Sequence, residues 1–322
     1  MAERDRLLAL NKRKDQLLLI QETTWRLKSR ALWIEAGDQN TKYFHAFANH
    51  RRNINSIWSL HNDEGQTVTT QRDLEHTAYS HFKHFYTKSP SEISTQVEVA
   101  QHLPRFFSDE EARSLEVPVT SAEIKGVLGD MASDKSLGPD GWPVEFILDF
   151  YDLIGNDLLS MIEDSRIRGS VSGTLNSTFI ALIPKVDKPA CFSDFRPISL
   201  CNLIYKIISK TISNRIKPML AKYISLEQFG FLPERQIIDA IGIVQESLHS
   251  IKDKKIQALI LKLDLSKAYD RVHWDMLRLI LSQIGMPFSM IRWIMACFTT
   301  TNYVVLINGS PTKFFKAGRG LR

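Results

Sequence analysis

The 322-residue sequence has few cysteines, and no apolar run in it reaches membrane-spanning length. Its three cysteines, Cys191, Cys201 and Cys297, form no Cys-x-x-Cys pair, so neither a disulfide framework nor a zinc site is indicated. Isolated cysteines fit a reducing, intracellular compartment, with nucleus and cytoplasm both open. The first residues, Met-Ala-Glu-Arg-Asp-Arg, are too charged for a signal peptide. We therefore expect no membrane association.

The charge of the sequence is unevenly distributed. The net charge is +5, and residues 1–60 hold 11 Lys and Arg against 6 Asp and Glu. Residues 179–230 hold 8 basic residues against 3 acidic ones. Such basic patches suit a polyanion such as nucleic acid, although a solvated charged face explains them equally well. With 43% hydrophobic and 24% charged residues, the composition is that of a globular protein with about two domains.

One stretch combines an apolar run with polar residues that suit chemistry. Ala258–Leu263 is a short apolar run, broken only by Lys262 and bounded by charge, which predicts a buried strand. Asp264 follows at the end of that strand, where a rigid scaffold would present its carboxylate to a cleft. The alternative is that Asp264 caps the next helix. Tyr269 and Asp270 follow closely, which favours a functional role.

The run Leu263-Asp-Leu-Ser-Lys-Ala-Tyr-Asp-Arg-Val272 resembles the first catalytic-aspartate motif of reverse transcriptases, in the form typical of non-LTR (LINE-like) retrotransposons of plants. The resemblance implies that Asp264 and the backbone carbonyl of Leu265 bind Mg²⁺ or Mn²⁺. It also implies a set of nucleotide-binding residues after the aspartate: Ser266, Lys267, Ala268 and Tyr269. Tyr269 would be the sugar-facing aromatic residue that excludes a 2′-hydroxyl group, and a core tyrosine is the alternative.

Two segments resemble the fingers motifs of the same family. Thr178-Phe-Ile-Ala-Leu-Ile-Pro-Lys185 reads as a strand that ends at Pro184, and Phe192-Ser-Asp-Phe-Arg-Pro-Ile-Ser-Leu200 leads into a second apolar segment. The resemblance implies that Lys185 and Arg196 bind the incoming triphosphate. Phosphoryl transfer requires fixed cations beside the oxygens on which charge collects, and these residue types supply them.

Two further segments imply contacts with template or primer. Gln228-Phe-Gly-Phe-Leu-Pro-Glu-Arg-Gln236 matches the family pattern Gln-x-Gly-Phe-x-x-x-Arg, and a turn with two buried phenylalanines is the alternative. Ala317-Gly-Arg-Gly-Leu-Arg322 resembles the first half of a motif that contacts nucleotide and template. The residues implied are Gln228, Phe229, Gly230, Phe231, Arg235 and Gly320.

The N-terminal part of the chain carries weaker signals. Residues 1–35 predict a basic amphipathic helix, either a packing helix or one that grips nucleic acid. Residues 33–55 interleave aromatic and basic side chains and look like the segment that precedes the polymerase in plant LINE-like proteins. A small hairpin near residues 55–68 and a helix with three aromatic residues follow: Phe82, Phe85 and Tyr86.

The remaining pattern predicts further helices and turns. Residues 88–119 read as a polar linker with a helical patch at 109–115, and Thr120-Ser-Ala-Glu123 as a capping box. The turn Lys135-Ser-Leu-Gly-Pro-Asp-Gly-Trp-Pro143 resembles the loop that opens the fingers. A helix from residue 143 is predicted with an apolar core face: Phe146, Ile147, Phe150, Leu153, Ile154, Leu158 and Leu159. The other predictions are a helix at 202–224 kinked by Pro218, a helix to residue 251, helices at 274–285 and 287–300, and a hairpin with an Asn-Gly turn at 302–315.

We therefore predict an α+β fold with right-hand polymerase fingers and a partial palm, preceded by a mainly helical N-terminal region. The expected divisions are 1–87, a linker at 88–119, and a reverse transcriptase domain at 120–322. The expected function is RNA-directed DNA polymerase of a LINE-like retrotransposon, with an RNA template, a DNA primer and deoxynucleoside triphosphates as partners. A non-catalytic nucleic-acid-binding remnant is the rival, and group II intron-type enzymes are a less favoured relative.

The two-metal site of the family is expected to be incomplete in this chain. Two divalent metals activate the primer hydroxyl and stabilise the leaving oxygen in such polymerases, and the family takes its other carboxylates from a Tyr-x-Asp-Asp hairpin. Residues 276–322 contain no Asp or Glu. Asp270 and Asp275 are interpreted as helix-start acids rather than metal ligands. We therefore expect the chain by itself to be an inactive fragment.

Overall fold

The computed structural model describes residues 6–7, 9–18, 41–88, 93–133, 135–232 and 234–321. Residues 9–18 are helical, as the amphipathic pattern predicts, and their side chains, including the leucines, are exposed. The rest of the predicted N-terminal helix and the aromatic-basic segment at 33–40 lie outside the described residues. None of the described helices combines the length and apolar character needed to cross a bilayer.

The described residues form a mixture of helices and strands. The helices are α1 (Thr41–Asn55), α2 (Gln71–Phe85), α3 (Ile93–Gln101), α4 (Asp109–Leu115), α5 (Ser121–Gly129), α6 (Val144–Asp149), α7 (Tyr151–Arg168), α8 (Leu203–Tyr223), α9 (Ile237–Asp253), α10 (Trp274–Gln283) and α11 (Phe288–Thr299). The strands are β1 (Leu60–His61), β2 (Thr67–Val68), β3 (Ser177–Pro184), β4 (Phe195–Cys201), β5 (Asn302–Ile307), β6 (Ser310–Pro311) and β7 (Phe315–Lys316). The predicted mixed class is confirmed, and its division into fingers and palm stays a prediction.

The main sheet of the described residues is built on β3. Strand β4 pairs antiparallel with β3 from Thr178↔Cys201 to Pro184↔Phe195. Strand β5 pairs in parallel on the other side of β3, and β6 and β7 pair antiparallel with β5. The predicted Asn-Gly turn is confirmed, because Asn308 and Gly309 both have the positive φ of the two-residue hairpin turn.

Helix α2 and one face of the sheet bury a common core. Strand β3 alternates, with Thr178 and Ile180 buried, and Phe82 of α2 is fully buried in the cluster that contains Ile180. Ile57 extends this contact, since its backbone N–H donates to Asn308 Oδ1 at 2.8 Å. One hydrophobic cluster therefore contains described residues from both sides of the predicted linker, and the domain division stays a prediction.

Several of the described helices share a second cluster of buried residues. Trp293 of α11 is fully buried, and its indole N–H donates to Ser165 Oγ of α7 at 3.0 Å. Helix α8 adds Ile207 and Ile208, both fully buried, as its periodicity predicts. Helices α7, α8 and α11 are therefore held by one cluster of large apolar side chains.

The helix predicted from residue 143 is interrupted. Phe150 leaves the helical conformation, with φ −106° and ψ 14°, and separates α6 from α7. Ile147 and Leu158 are buried as predicted, whereas Phe150 and Leu153 are exposed. The prediction of one continuous core face was wrong for those two residues, because the break changes which side of the second helix faces inward.

The predicted linker is partly helical, and its end is hydrogen-bonded to Arg215 of α8. Helices α3 and α4 both lie in it, and Ser108 and Glu111 form a capping box at the start of α4. The capping box predicted at Thr120 forms only in part, because Thr120 Oγ1 accepts the N–H of Glu123 while the Glu123 carboxylate binds Arg215. Arg215 also donates to backbone carbonyls of residues 115, 117 and 118.

The predicted glycine-rich loop packs on the start of α8. Asp140 Oδ2 accepts the N–H of Leu203 at 2.7 Å, and Asn202 Oδ1 accepts the N–H of Asp140 at 3.1 Å. A carboxylate is favoured there because the helix N-terminus carries partial positive charge. Gly138 is required in this loop, since a Cβ atom would overlap the carbonyl group of Cys201. The loop is thus fixed against the junction of β4 and α8.

Candidate active site

The buried strand predicted for Ala258–Leu263 does not form. Residues 256–265 lie outside the described sheets, with Leu259 93% and Leu263 78% exposed. A strand needs a neighbour for its backbone groups and a layer over its apolar face, and β3 already has β4 and β5 as neighbours. Asp264 accordingly lies on an exposed, unpaired segment rather than at the edge of a sheet.

The residues around Asp264 do not complete a metal site. A carboxylate oxygen and the backbone carbonyl of Leu265 are donors that Mg²⁺ accepts. Among the described residues, however, no three His, Cys, Asp or Glu side chains are grouped so that they could hold a metal ion. None of the described hydrogen bonds or ion pairs joins Asp264 to Lys185 or Arg196. The donor set at Asp264 therefore does not fit a complete two-metal site, and magnesium or manganese stays a prediction from the resemblance.

The loop after Asp264 places Lys267 against the ring of Phe85. Lys267 has a positive φ of 52°, and its ammonium group lies 4.5 Å from the centre of the Phe85 ring. Partial burial lowers the pKa of Lys267 most, and the positive charges of Lys185 and Arg271 lower it further. The positive charge of Lys185 thus acts on Lys267, and both residues are among the predicted nucleotide-binding cations.

The two predicted triphosphate-binding residues lie on the β3–β4 hairpin. The backbone N–H of Lys185 donates to the carbonyl of Asp194, and Arg196 is paired opposite Ile183. Because side chains alternate along paired strands, this register puts Lys185 and Arg196 on the same face of the hairpin. The Lys185 ammonium group donates to the Ser193 carbonyl at 2.9 Å, and Arg196 is exposed. Ser266 and Ala268 are also exposed.

The predicted template segment folds back towards Tyr269. Phe231 is 79% exposed, and its ring stands edge-on to the Tyr269 ring at 5.9 Å. The alternative of two buried phenylalanines is therefore wrong for Phe231. Gln228 and Gly230 form the open turn before it, and Phe229 lines a cavity of about 320 Å³ with residues of α9.

Arg235 has a different environment from the one expected of a nucleic-acid contact. Its guanidinium group donates to the carbonyls of Ser225, of Gln228 at 2.8 Å and of Ile224 at 2.8 Å. These bonds hold the turn after α8 closed. The role of Arg235 towards template or primer stays a prediction, and the geometry assigns the side chain a positioning role in the turn.

Gly320 lies directly against the loop that contains Tyr269. Its backbone N–H donates to the Val272 carbonyl at 2.9 Å, and the next N–H, of Leu321, donates to the Tyr269 carbonyl at 2.8 Å. Gly320 has a φ of 93°, and a Cβ atom there would approach the Asp270 carbonyl oxygen to 2.8 Å. Glycine is therefore required for this contact.

The sequence interpretation missed the role of Asp270. Asp270 lies in a short 3₁₀ turn, Tyr269–Arg271, and its Oδ1 accepts the Tyr86 hydroxyl at 3.0 Å. The interpretation as a helix-start acid is confirmed for Asp275, in the first turn of α10, and for Asp270, in the first turn of the 3₁₀ helix, but it did not include the hydrogen bond from Tyr86. The position of Asp270 beside Tyr269 was the sequence signal that it belongs to the site. Its partner Tyr86 is 184 residues away, and no local sequence pattern identifies that partner.

The pKa shifts of Asp270 and Asp275 predict opposite pH effects on stability. Burial raises the pKa of Asp270, despite the hydrogen bond from Tyr86, whereas the hydrogen bond and charge of Lys88 lower that of Asp275. Stability from Asp270 is present below the pKa of about 4 in the unfolded chain and is lost as pH rises through the higher folded pKa. The stability that Asp275 contributes is present above the pKa of about 4 in the unfolded chain, and it is lost as pH falls through the lower folded pKa of Asp275.

We therefore expect Asp270→Asn to gain stability relative to wild type as pH rises from about 4 to 6. Asn keeps an oxygen that accepts the Tyr86 hydrogen bond and removes the buried charge. The Asp275→Asn variant is the matched control, and it should lose stability relative to wild type as pH rises towards about 4, with little further change from about 4 to 6. Urea unfolding at several pH values measures both differences, and a shared sign for the two variants would contradict the assignment.

Comparisons with known proteins agree with the C-terminal motifs. Residues 183–322 match the family described as reverse transcriptase (RNA-dependent DNA polymerase). The chain is also similar to the Transposon TX1 uncharacterized 149 kDa protein of Xenopus laevis, at 27% identity over 285 residues. That similarity covers 88% of this chain and reaches well N-terminal of residue 183, and the chain spans 22% of the relative's length. The chain thus contains a segment that matches reverse transcriptases, within a longer similarity to a transposon protein.

Proposed function

We propose that the chain is part of an RNA-directed DNA polymerase of a non-LTR retrotransposon, of the plant LINE-like type. The observation that carries the proposal is the match of residues 183–322, which contain the aspartate motif, to the family of reverse transcriptases. The similarity to a transposon protein supports it, as does the shared face of the β3–β4 hairpin that carries Lys185 and Arg196. The substrates would be deoxynucleoside triphosphates, added to a primer on an RNA template.

In this proposal the residues of the chain bind and orient the nucleotide. Lys185 and Arg196 hold the triphosphate, whose negative charge offsets the repulsion between Lys185 and Lys267. Tyr269 would face the sugar and exclude a 2′-hydroxyl group, with Phe231 against its ring edge. The reaction requires carboxylates besides Asp264, and the proposal therefore includes the expectation from the motif pattern that the 322 residues alone do not polymerise.

Replacing Lys185 with Gln is expected to weaken dTTP binding about tenfold, which corresponds to about 1.4 kcal/mol for one charge-assisted contact. The matched control is Lys188→Gln, an exposed lysine in the same β3–β4 connection. Isothermal titration with dTTP and with thymidine, which lacks phosphate, measures the effect. Equal dTTP affinities for both variants would contradict the assignment of Lys185.

A non-catalytic nucleic-acid-binding protein is the second candidate. The exposed and unpaired position of Asp264 favours it, because that carboxylate is not held by a scaffold. Both candidates predict salt-sensitive binding of a primed RNA template, since phosphate contacts release counterions. Only the polymerase predicts triphosphate binding that depends on Lys185, so the titration above separates the two.

A further inference from the structure

The end of helix α2 contacts the loop that carries Tyr269. Tyr86 donates its hydroxyl to Asp270 at 3.0 Å, and its carbonyl accepts the N–H of Gly318 at 2.8 Å. The carbonyl of Phe85 accepts two hydrogen bonds from the Arg319 guanidinium group, at 2.9 and 2.7 Å. The end of α2 is thus joined both to the loop at 266–272 and to residues 318–321, which are themselves bonded to that loop.

The Tyr86 hydroxyl is a fixed donor. Its side chain is only 3% exposed, and its ring is stacked on Tyr303 at 5.3 Å with an angle of 8° between the ring planes. Phe315 lies against the same ring at 6.3 Å. Because these contacts come from β5 and β7, the ring cannot follow a movement of the loop. Loss of the hydroxyl would leave the partly buried Asp270 carboxylate without this donor, which is unfavourable.

Phe85 holds the other end of the same loop. The Lys267 ammonium group lies 4.5 Å from the centre of the Phe85 ring, within the range of a cation–π contact. Lys267 has a left-handed backbone, which a residue with a Cβ adopts only when its surroundings favour it. Tyr269 lies between Lys267 and Asp270, so both of its flanks are anchored to α2.

We propose that Phe85 and Tyr86 are positioning residues that hold the loop 266–272 in place, Phe85 through Lys267 and Tyr86 through Asp270. The effect of this anchoring on nucleotide binding rests on the proposed function, because that function assigns Tyr269 and Lys267 to contacts with the nucleotide. The N-terminal segment at 57–88 would then be a structural part of the nucleotide site. Its core packing against β3 and β5 makes it a rigid support for the loop.

Hydrogen exchange of the 322-residue chain tests the positioning role. The loop amides of Asp270, Arg271, Gly320 and Leu321 are all hydrogen-bonded in the structure. In Tyr86→Phe, which keeps the ring stack, we expect these amides to exchange about tenfold faster while the melting temperature changes little. The matched control is Tyr79→Phe on the same helix, whose ring stands edge-on to Phe315 and whose hydroxyl accepts from Lys83.

A pair of variants at Asp270 makes the test specific. Asp270→Asn keeps an acceptor for Tyr86 and should retain loop protection, whereas Asp270→Leu removes it and should behave like Tyr86→Phe. Unchanged exchange in Tyr86→Phe, or an increase spread evenly over the whole protein, would overturn the positioning role. A local increase that Asp270→Leu shares and Asp270→Asn lacks would support it.

Titration of the same variants with dTTP separates this inference from the proposed function. If wild type binds dTTP and Tyr86→Phe binds about tenfold more weakly, the result supports both. If wild type does not bind dTTP, the proposed function is contradicted, while faster local exchange still supports the anchoring of the loop. If dTTP binding is equal in wild type and Tyr86→Phe despite faster exchange, the significance of the anchor for nucleotide binding is overturned.

Discussion

Replacement of Trp293 with alanine is expected to lower the free energy of unfolding by about 3–5 kcal/mol. The side chain is fully buried in the cluster that joins α7, α8 and α11. Its removal deletes a large apolar surface, leaves a cavity that rigid helices cannot close, and leaves Ser165 Oγ without the indole donor. Urea unfolding followed by far-UV circular dichroism measures the loss without relying on tryptophan fluorescence.

The control for this change is Trp58→Ala. Trp58 is 69% exposed, and its indole N–H donates to the Asn53 carbonyl at a long 3.4 Å. We expect that variant to lose less than about 1 kcal/mol, as surface substitutions usually do. Losses of similar size for the two tryptophans would show that α11 is not part of a close-packed core.

The helical core and the sheet were predictable where the sequence signal is local. The register of β3 and β4 follows two apolar segments separated by a polar turn, and Asn308-Gly309 specifies its hairpin by backbone conformation alone. Ser108 and Thr120 likewise mark the starts of two helices through their own side chains. Each of these features depends on residues close together in the chain.

The features that were not predicted depend on contacts between distant segments. The apolar pattern at 258–263 is suited to a strand, but no neighbour pairs with it among the described residues, so pattern alone gave the wrong result. The Tyr86–Asp270 hydrogen bond joins residues 184 positions apart, and the sequence around either residue does not predict the other as its partner. Arg235 matched a motif, yet its partners are carbonyls of the preceding turn.

The structure brings some of the predicted site residues together. Phe231 lies against Tyr269, and Gly320 is hydrogen-bonded to the loop that contains Tyr269. The structure leaves Asp264 on an exposed segment. The roles of all these residues in catalysis or binding stay predictions, and the largest functional effect is expected at Asp264, because a metal-binding carboxylate has no substitute among the described residues.

Asp264→Ala is expected to reduce nucleotide incorporation at least about a thousandfold, which corresponds to about 4 kcal/mol of lost transition-state stabilisation. The effect should appear in the longest polypeptide that the reading frame encodes, since the 322 residues alone are expected to be inactive. Template binding should change little, because Asp264 is an anion and adds no phosphate contact. The control is Asp253→Ala, an exposed acid that pairs with His249 at the end of α9.

Primer extension on a primed RNA template, with deoxynucleoside triphosphates and Mg²⁺, is the most direct measurement. The account predicts incorporation by the longest polypeptide and by its Asp253→Ala variant, and none by its Asp264→Ala variant or by the 322-residue chain alone. Incorporation that survives Asp264→Ala would contradict the assignment of the catalytic carboxylate. Absence of incorporation by the longest polypeptide, with intact RNA binding, would contradict the polymerase and favour the nucleic-acid-binding protein.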